Sequence, residues 1–352
     1  MKVLYLINKV SQPIIQNMNE GKGHDSGLFG MFRLRKYDID TDLLEIEQFI
    51  PKKIAGFLRR NILTMHYAHL PLFLLFFRYD IVFTSTAYAS LILKAVLRIK
   101  KFKWVVLDFN VLGTIGSERK IREKIYAWAV SKADGAVCIS EAAAMAMKKR
   151  FPHLAKNVIF LREATDIAYF KPGDPSEEEN EIISVGNFGR DFITVIEATK
   201  DLGIKLNLAT KLIPPARMLT NGGDLPSHVT VKLYSHQEML RAYRRAKIAV
   251  VGIALKDDYY DSVGTFALGE ALSMGKATIV THTKNMESYV KNGQNGFFVP
   301  YKDVAAMRTK ITELLNNDGL RHRIGSNARS FALEYLDSER FAEQLANYFK
   351  QL

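Results

Sequence analysis

The chain has 352 residues, of which 48% are hydrophobic and 24% charged, and its net charge is +12. That length suits two domains of ordinary size, and the apolar share excludes a disordered chain. The single cysteine, Cys138, excludes an internal disulfide and a Cys/His zinc site of the usual spacing, and it fits a reducing, cytoplasmic compartment.

In chain order, residues 3–8 read as a buried strand. The apolar run there is too short for the core of a signal peptide. Residues 26–36 predict a helix, with Leu28, Met31, Phe32 and Arg35 at helical spacing. Residues 41–46 predict a strand, and residues 54–77 a mostly helical stretch broken near Pro71. Strands follow at 80–84, 104–109 and 135–139, alternating with helices at 88–99, 118–132 and 142–150. This alternation predicts a parallel sheet with helices on both faces.

Composition changes at "FKPGDPSEEEN", residues 170–180, where prolines, a glycine and a run of acids make a linker. The alternation then restarts, with strands at 182–186, 205–210, 229–234, 246–252 and 277–281. Helices are predicted at 192–201, 237–246, 265–274, 304–316 and from 338 onward. The expected organisation is therefore an N-terminal domain over 1–168, a linker over 169–180, a second domain over 181–335 and a final helix over 336–352 that packs back on the first domain. Ligands of doubly wound domains bind at the carboxyl ends of the strands.

The segment "DSVGTFALGEALSMGKATIVTHT" begins at Asp261. Gly264, Thr265 and Phe266 open a helix there, and free N–H groups with the positive dipole end suit a diphosphate. Any αβ loop of a doubly wound domain offers the same geometry. The next features are more specific. "EALSMGKATIV" from Glu270, "NGQNGFFVP" from Asn292 and "LRAYRRAKIAVV" from Leu240 resemble the C-terminal half of family 4 glycosyltransferases. "ADGAVCISEA" from Ala133 and "TDIAYFKP" from Thr165 resemble the end of that family's first domain. The resemblance covers nearly the whole chain and is weakest over residues 10–100.

The resemblance implies a GT-B fold, two Rossmann-like α/β domains facing a cleft, and transfer of a hexosyl group from a UDP- or GDP-sugar with retention. It implies roles residue by residue. Glu270 matches the glutamate that binds the donor ribose. Gly186 lies where a glycine approaches the diphosphate, and Arg190 matches the arginine that pairs with the phosphates. Lys211 is a second candidate cation, and a solvated surface charge is the alternative for both. The turn of Tyr234, Ser235 and His236 falls where the base is held by backbone groups; His236 also suits an ordinary helix start.

Two positions depart from the family. Its first glutamate falls on Ser262, with Asp261 adjacent, and its first-domain histidine falls on Asn110. Asparagine can hydrogen-bond a sugar but cannot change charge at neutral pH. A protein that binds a nucleotide-sugar or a partner without turnover is therefore the alternative function. His24 and Asp25, in a glycine-rich loop, are candidates for the acceptor side, and residues 257–260 for contacts with the sugar. The motif Asp38-Ile39-Asp40 reads as a solvated turn rather than a metal site, so no essential metal or other cofactor is expected.

Between Pro51 and Trp104 stand ten cations and one acid. Such a patch seeks phosphates. Lys52, Lys53, Phe57, Arg59 and Arg60 are candidates for contact with an anionic membrane, which would place the protein on its inner face. A core helix with a solvated basic face is the alternative. The apolar run 70–77 is far short of the roughly 20 residues of a spanning helix. No nucleic-acid motif accompanies the charge. The expected partners are a nucleotide-sugar and a glycan or lipid acceptor.

Overall fold

The computed structural model describes residues 1–6, 12–45, 48, 49, 51, 53, 54, 70–84, 88–108, 112, 120–210, 216–220, 223–254 and 262–352. Asn110, Lys211, Asp261, Lys52, Phe57, Arg59, Arg60 and residues 257–260 lie outside this set.

The chain begins with β1 (Lys2–Leu6), α1 (Gln12–Asn19), β2 (Asp40–Leu43) and β3 (Ile81–Thr84). It continues through α2 (Tyr88–Val96), β4 (Lys103–Asp108), α3 (Ile121–Val130), β5 (Gly135–Cys138), α4 (Glu141–Arg150) and β6 (Val158–Phe160). A second series follows: β7 (Glu181–Val185), α5 (Phe192–Thr199), β8 (Lys205–Ala209), α6 (Ala216–Leu219), β9 (Val229–Lys232), α7 (His236–Arg245) and β10 (Ala246–Val251). It closes with α8 (Thr265–Ser273), β11 (Ala277–Thr281), β12 (Phe297–Val299), α9 (Val304–Asn316), α10 (Asp318–Tyr335) and α11 (Ser338–Gln351).

Two parallel six-stranded sheets result, in the orders β2-β1-β3-β4-β5-β6 and β12-β11-β10-β7-β8-β9. Strands such as Ile81–Thr84 and Gly135–Cys138 are buried at every position, as parallel strands covered on both faces must be. The strand order reverses between β1 and β3 in one sheet and between β7 and β10 in the other. In doubly wound sheets ligands bind at the carboxyl ends beside such switch points.

The first compact unit comprises Met1–Pro13, Leu28–Arg162 and Glu339–Leu352. Its core is aromatic: Phe76 lies 6.0 Å from Trp104 and Phe73 lies 6.1 Å from Phe102, ring centre to ring centre. Phe349 of α11 meets Phe83 of β3 at 5.4 Å. The second unit comprises Ile14–Gly27 and Glu163–Ser338. Ile182, Val195, Leu206, Ile248 and Ile279 form its centre. At the edge of that core the carboxylate of Glu181 receives Arg245 Nη2 at 3.0 Å and Asn207 Nδ2 at 2.9 Å.

One local expectation fails, and one helix was not foreseen. Residues 26–36 form no α-helix but two 3-10 turns, Ser26–Leu28 and Leu34–Tyr37. Between them Phe29 and Gly30 take φ of 50° and 72°, a left-handed pair that no right-handed helix contains. Helix α10 forms where none was predicted. Its Gly325 meets the backbone of Gly275 so closely that a Cβ there would overlap the Gly275 carbonyl. A glycine that reads as a helix breaker is instead the residue that lets this helix pack. Among the described residues no helix is long and apolar enough to cross a membrane.

Candidate functional site

The crevice of the second sheet is built by two loops. The first leaves β7 at Gly186, whose N–H donates to the Ala209 carbonyl at 3.0 Å. It returns to β10 through Ala254 N–H to the Gly189 carbonyl at 2.8 Å and Asp191 N–H to the Gly252 carbonyl at 3.1 Å. Asp191 then caps α5, accepting from the Thr194 backbone N–H at 3.1 Å and its hydroxyl at 2.7 Å. Arg190 is thereby fixed at both sides.

The second loop leads into α8. Its cap residue, Gly264, has φ of 104° and no side chain closes this helix end. The Thr265 hydroxyl donates to the Ser262 carbonyl at 2.8 Å, tying the loop to the first turn. The two loops meet at the Arg190 guanidinium. A Cβ at Gly186, where φ is 148°, would overlap it, and one at Gly264 would lie 2.9 Å from Nη1. Glycine at both positions is therefore required for this side chain to lie where it does.

Arg190 is half-buried, and among the described residues its Nε and Nη1 atoms are buried without hydrogen-bond partners. Burial pulls its pKa down to about 10, while Tyr243 and Glu270 oppose that shift, so it is a cation at neutral pH. Glu270 accepts the Tyr243 hydroxyl at 3.0 Å. Burial first, and then the Glu270 charge, pushes the Tyr243 phenol well above its ordinary range. The same two causes raise Tyr169. Cation, helix start and carboxylate thus share one crevice: the structure brings together Gly186, Arg190, Gly264, Thr265 and Glu270. Phe266 stands half-buried in the first turn of α8. Ser262 contributes its carbonyl to the cap.

His236 starts α7 and lies 5.1 Å from His24, ring to ring. His24 also meets Phe170 at 4.7 Å and Tyr169 at 5.3 Å, and its Nδ1 is 3.0 Å from the Ser26 hydroxyl. Ser26 in turn accepts the Asp166 N–H at 2.9 Å. The glycine-rich loop of His24 and the buried Asp25 therefore clusters with the second unit. Tyr234 is half-buried, with Lys232 Nζ 5.3 Å above its ring, and lines a polar groove of about 470 Å³ with Lys205, Asn207, His228 and Arg241. Lys53 is exposed. Among the described residues no three or more His, Cys, Asp or Glu side chains gather as a metal site would need.

Sequence reasoning missed Tyr243, which is 27 residues from its partner Glu270 and carries no local signal. It also missed Phe188, 72% exposed at the tip of the Gly186–Gly189 turn.

No curated protein matches the sequence. Solved structures match its fold along nearly the whole chain. Anabaena HepE in complex with UDP-glucose superposes with a TM-score of 0.74 at 13% identity, covering 100% of both chains. Sucrose-phosphate synthase from Thermosynechococcus elongatus gives 0.74 at 16% identity, over 99% of this chain and 98% of that one. A glycosyltransferase from Rickettsia africae gives 0.65 at 13% identity, over 99% and 97%. The family model described as glycosyl transferases group 1 matches residues 216–331, which hold α8 and Glu270. The two parallel sheets thus have the GT-B glycosyltransferase fold, and residues 216–331, which include β9 to β12, match the glycosyl transferases group 1 model.

Proposed function

We propose that the chain is a glycosyltransferase that moves a hexosyl group from a UDP- or GDP-sugar to a glycan or lipid acceptor, with retention of anomeric configuration. The observation that carries this is Arg190: a fixed guanidinium at a switch point, with Nε and Nη1 unpartnered among the described residues, beside the uncapped start of α8. A diphosphate satisfies both at once. HepE, which shares the fold, was solved with UDP and with UDP-glucose, and this supports a nucleotide-sugar donor.

In this proposal Gly186 and Gly264 admit the diphosphate to the backbone. Arg190, Lys211 and the N–H groups at Thr265 and Phe266 hold it. Glu270 accepts hydrogen bonds from the ribose, and Tyr234 and His236 flank the base. As the bond from the sugar to the diphosphate breaks, charge grows on the leaving oxygen. Arg190 and the α8 dipole stabilise it, and no essential metal is invoked. Ser262, Asp261 and Asn110 are assigned to the sugar itself, and His24 and Asp25 to the acceptor side. Contact with an anionic membrane is part of the proposal for a lipid acceptor. Two features favour the alternative of donor binding without turnover: Ser262 replaces the expected carboxylate, and Asn110 the expected histidine.

Calorimetry with UDP, GDP and ADP tests the site; no binding to any of them overturns the proposal. Donor hydrolysis without acceptor separates turnover from binding alone. Activity unchanged by a chelator is expected. The anomeric configuration of the product, read by proton NMR, decides retention, and an inverted product refutes it.

A further inference from the structure

Glycosyl transfer leaves one exposed feature of the first unit without a role. Helix α3 buries Tyr126, Ala127, Ala129 and Val130. It leaves Ile121, Ile125 and Trp128 exposed at 78%, 44% and 43%. Their spacing of four and three residues places them on one stripe. Single exposed apolar residues are ordinary, whereas a contiguous stripe of large ones marks a contact surface. Helix α3 packs beside α2, which ends at Val96, 60% exposed, and is followed by Leu97, 58% exposed.

The charge around these residues is one-sided. Lys120, Lys124 and Lys132 flank the stripe, and Arg98, Lys100 and Lys101 follow Leu97; all six are exposed. Glu123 is the acid on α3. A protein partner would need a strongly acidic ring around an apolar centre. An anionic bilayer offers that arrangement by its nature, with apolar depth beneath negative headgroups. Tryptophan is also the side chain that favours such a boundary.

We propose that this face of α3, with the end of α2, docks on an anionic lipid surface. Ile121, Ile125 and Trp128 enter the boundary between headgroups and acyl chains, and the lysines meet the headgroups. The contact is thereby placed on α3; the segment of Lys52, Lys53, Phe57, Arg59 and Arg60 is the other candidate, and quenching of Trp128 separates the two. The inference rests on the membrane part of the proposed function, but its test requires no turnover.

The chain has two tryptophans, and Trp104 is fully buried, so Trp128 reports on this face. The full chain is mixed with phosphatidylcholine vesicles carrying brominated acyl chains, with and without phosphatidylglycerol. Quenching and a blue shift on the anionic vesicles alone are expected, and both vanish in Trp128→Phe. Ile125→Glu lowers affinity for these vesicles about tenfold or more, by removing one buried aliphatic side chain. Its unfolding curve and its binding of nucleoside diphosphates stay unchanged, which shows that the fold is intact. Co-sedimentation without quenching of Trp128 overturns the assignment, because another segment then makes the contact. Equal quenching by neutral vesicles overturns it, as does self-association that shields Trp128 without lipid. A chain that passes these tests yet binds no nucleotide leaves this inference standing and removes the proposed function.

Discussion

Both sheets are parallel and six-stranded, but their strand orders differ, and so does what stands at their switch points. In the first, among the described residues, two polar side chains of the inner strands are met by backbone carbonyls of the same unit. The buried Thr84 hydroxyl donates to the Leu6 carbonyl at 2.9 Å, and the Tyr5 hydroxyl donates to the Phe29 carbonyl at 3.1 Å. In the second, two glycine turns hold a guanidinium with unmet donors beside a carboxylate. A satisfied switch point adds stability. An unsatisfied one costs stability and waits for a ligand.

Replacing Arg190 tests that contrast most severely. Arg190→Met is expected to weaken binding of a nucleoside diphosphate about 100-fold, the scale of two charge-assisted hydrogen bonds. Its effect on stability has the opposite sign. A base whose folded pKa is lowered binds fewer protons folded than unfolded, so its charge costs stability at neutral pH. That cost is relieved as pH rises through about 10. The unliganded variant should therefore unfold at a higher temperature than the parent, by about 1 kcal/mol after allowance for solvent screening. Thr84→Val in the first sheet should do the reverse: a loss of about 1 kcal/mol of stability and no change in nucleotide affinity. A destabilised Arg190→Met with normal affinity would abolish the contrast.

The next effect is Gly186→Ala. The added Cβ must displace the guanidinium, so affinity should fall by about tenfold or more although the charge is retained. Calorimetry reads this, and full affinity would show that Arg190 can bind from another position.

These two variants also mark how far the sequence can be read. A glycine before a helix is a local signal, so Gly264 is found from spacing, whereas the role of Gly186 comes from the family resemblance. The Ile- and Val-rich stretches of β7, β10 and β11 likewise reveal buried parallel strands. What the guanidinium touches is not local: Arg190 and Gly264 are 74 positions apart and meet only through the sheet order. The same holds for His24, whose loop precedes β2 yet clusters with residues beyond 163. A helical pattern over residues 26–36 is likewise overruled by a left-handed pair that no apolar period reports. Local chemistry was visible, and its long-range partners were not.

Glu270→Gln probes the other half of the crevice. If its carboxylate holds the ribose, affinity for UDP or GDP should fall about tenfold. The loss should shrink for nucleotides lacking the ribose hydroxyls, since the partners are then already gone. An equal loss for both ligands would assign Glu270 to Tyr243 alone.

Tyr243→Phe should have the smallest effect, and it decides whether the crevice is prepared in advance. The Tyr243 hydroxyl occupies one site on the Glu270 carboxylate at 3.0 Å and orients it. Its phenol is raised well above the ordinary range, so it stays a donor at any pH at which the protein works. Removing it costs about 1 kcal/mol, or about fivefold in affinity, if orientation is its contribution. The loss must then disappear in a Glu270→Gln background, because an orienting residue has no effect without the group it orients. A loss that persists there would place Tyr243 in direct contact with the nucleotide, and the carboxylate would owe its position to α8 alone.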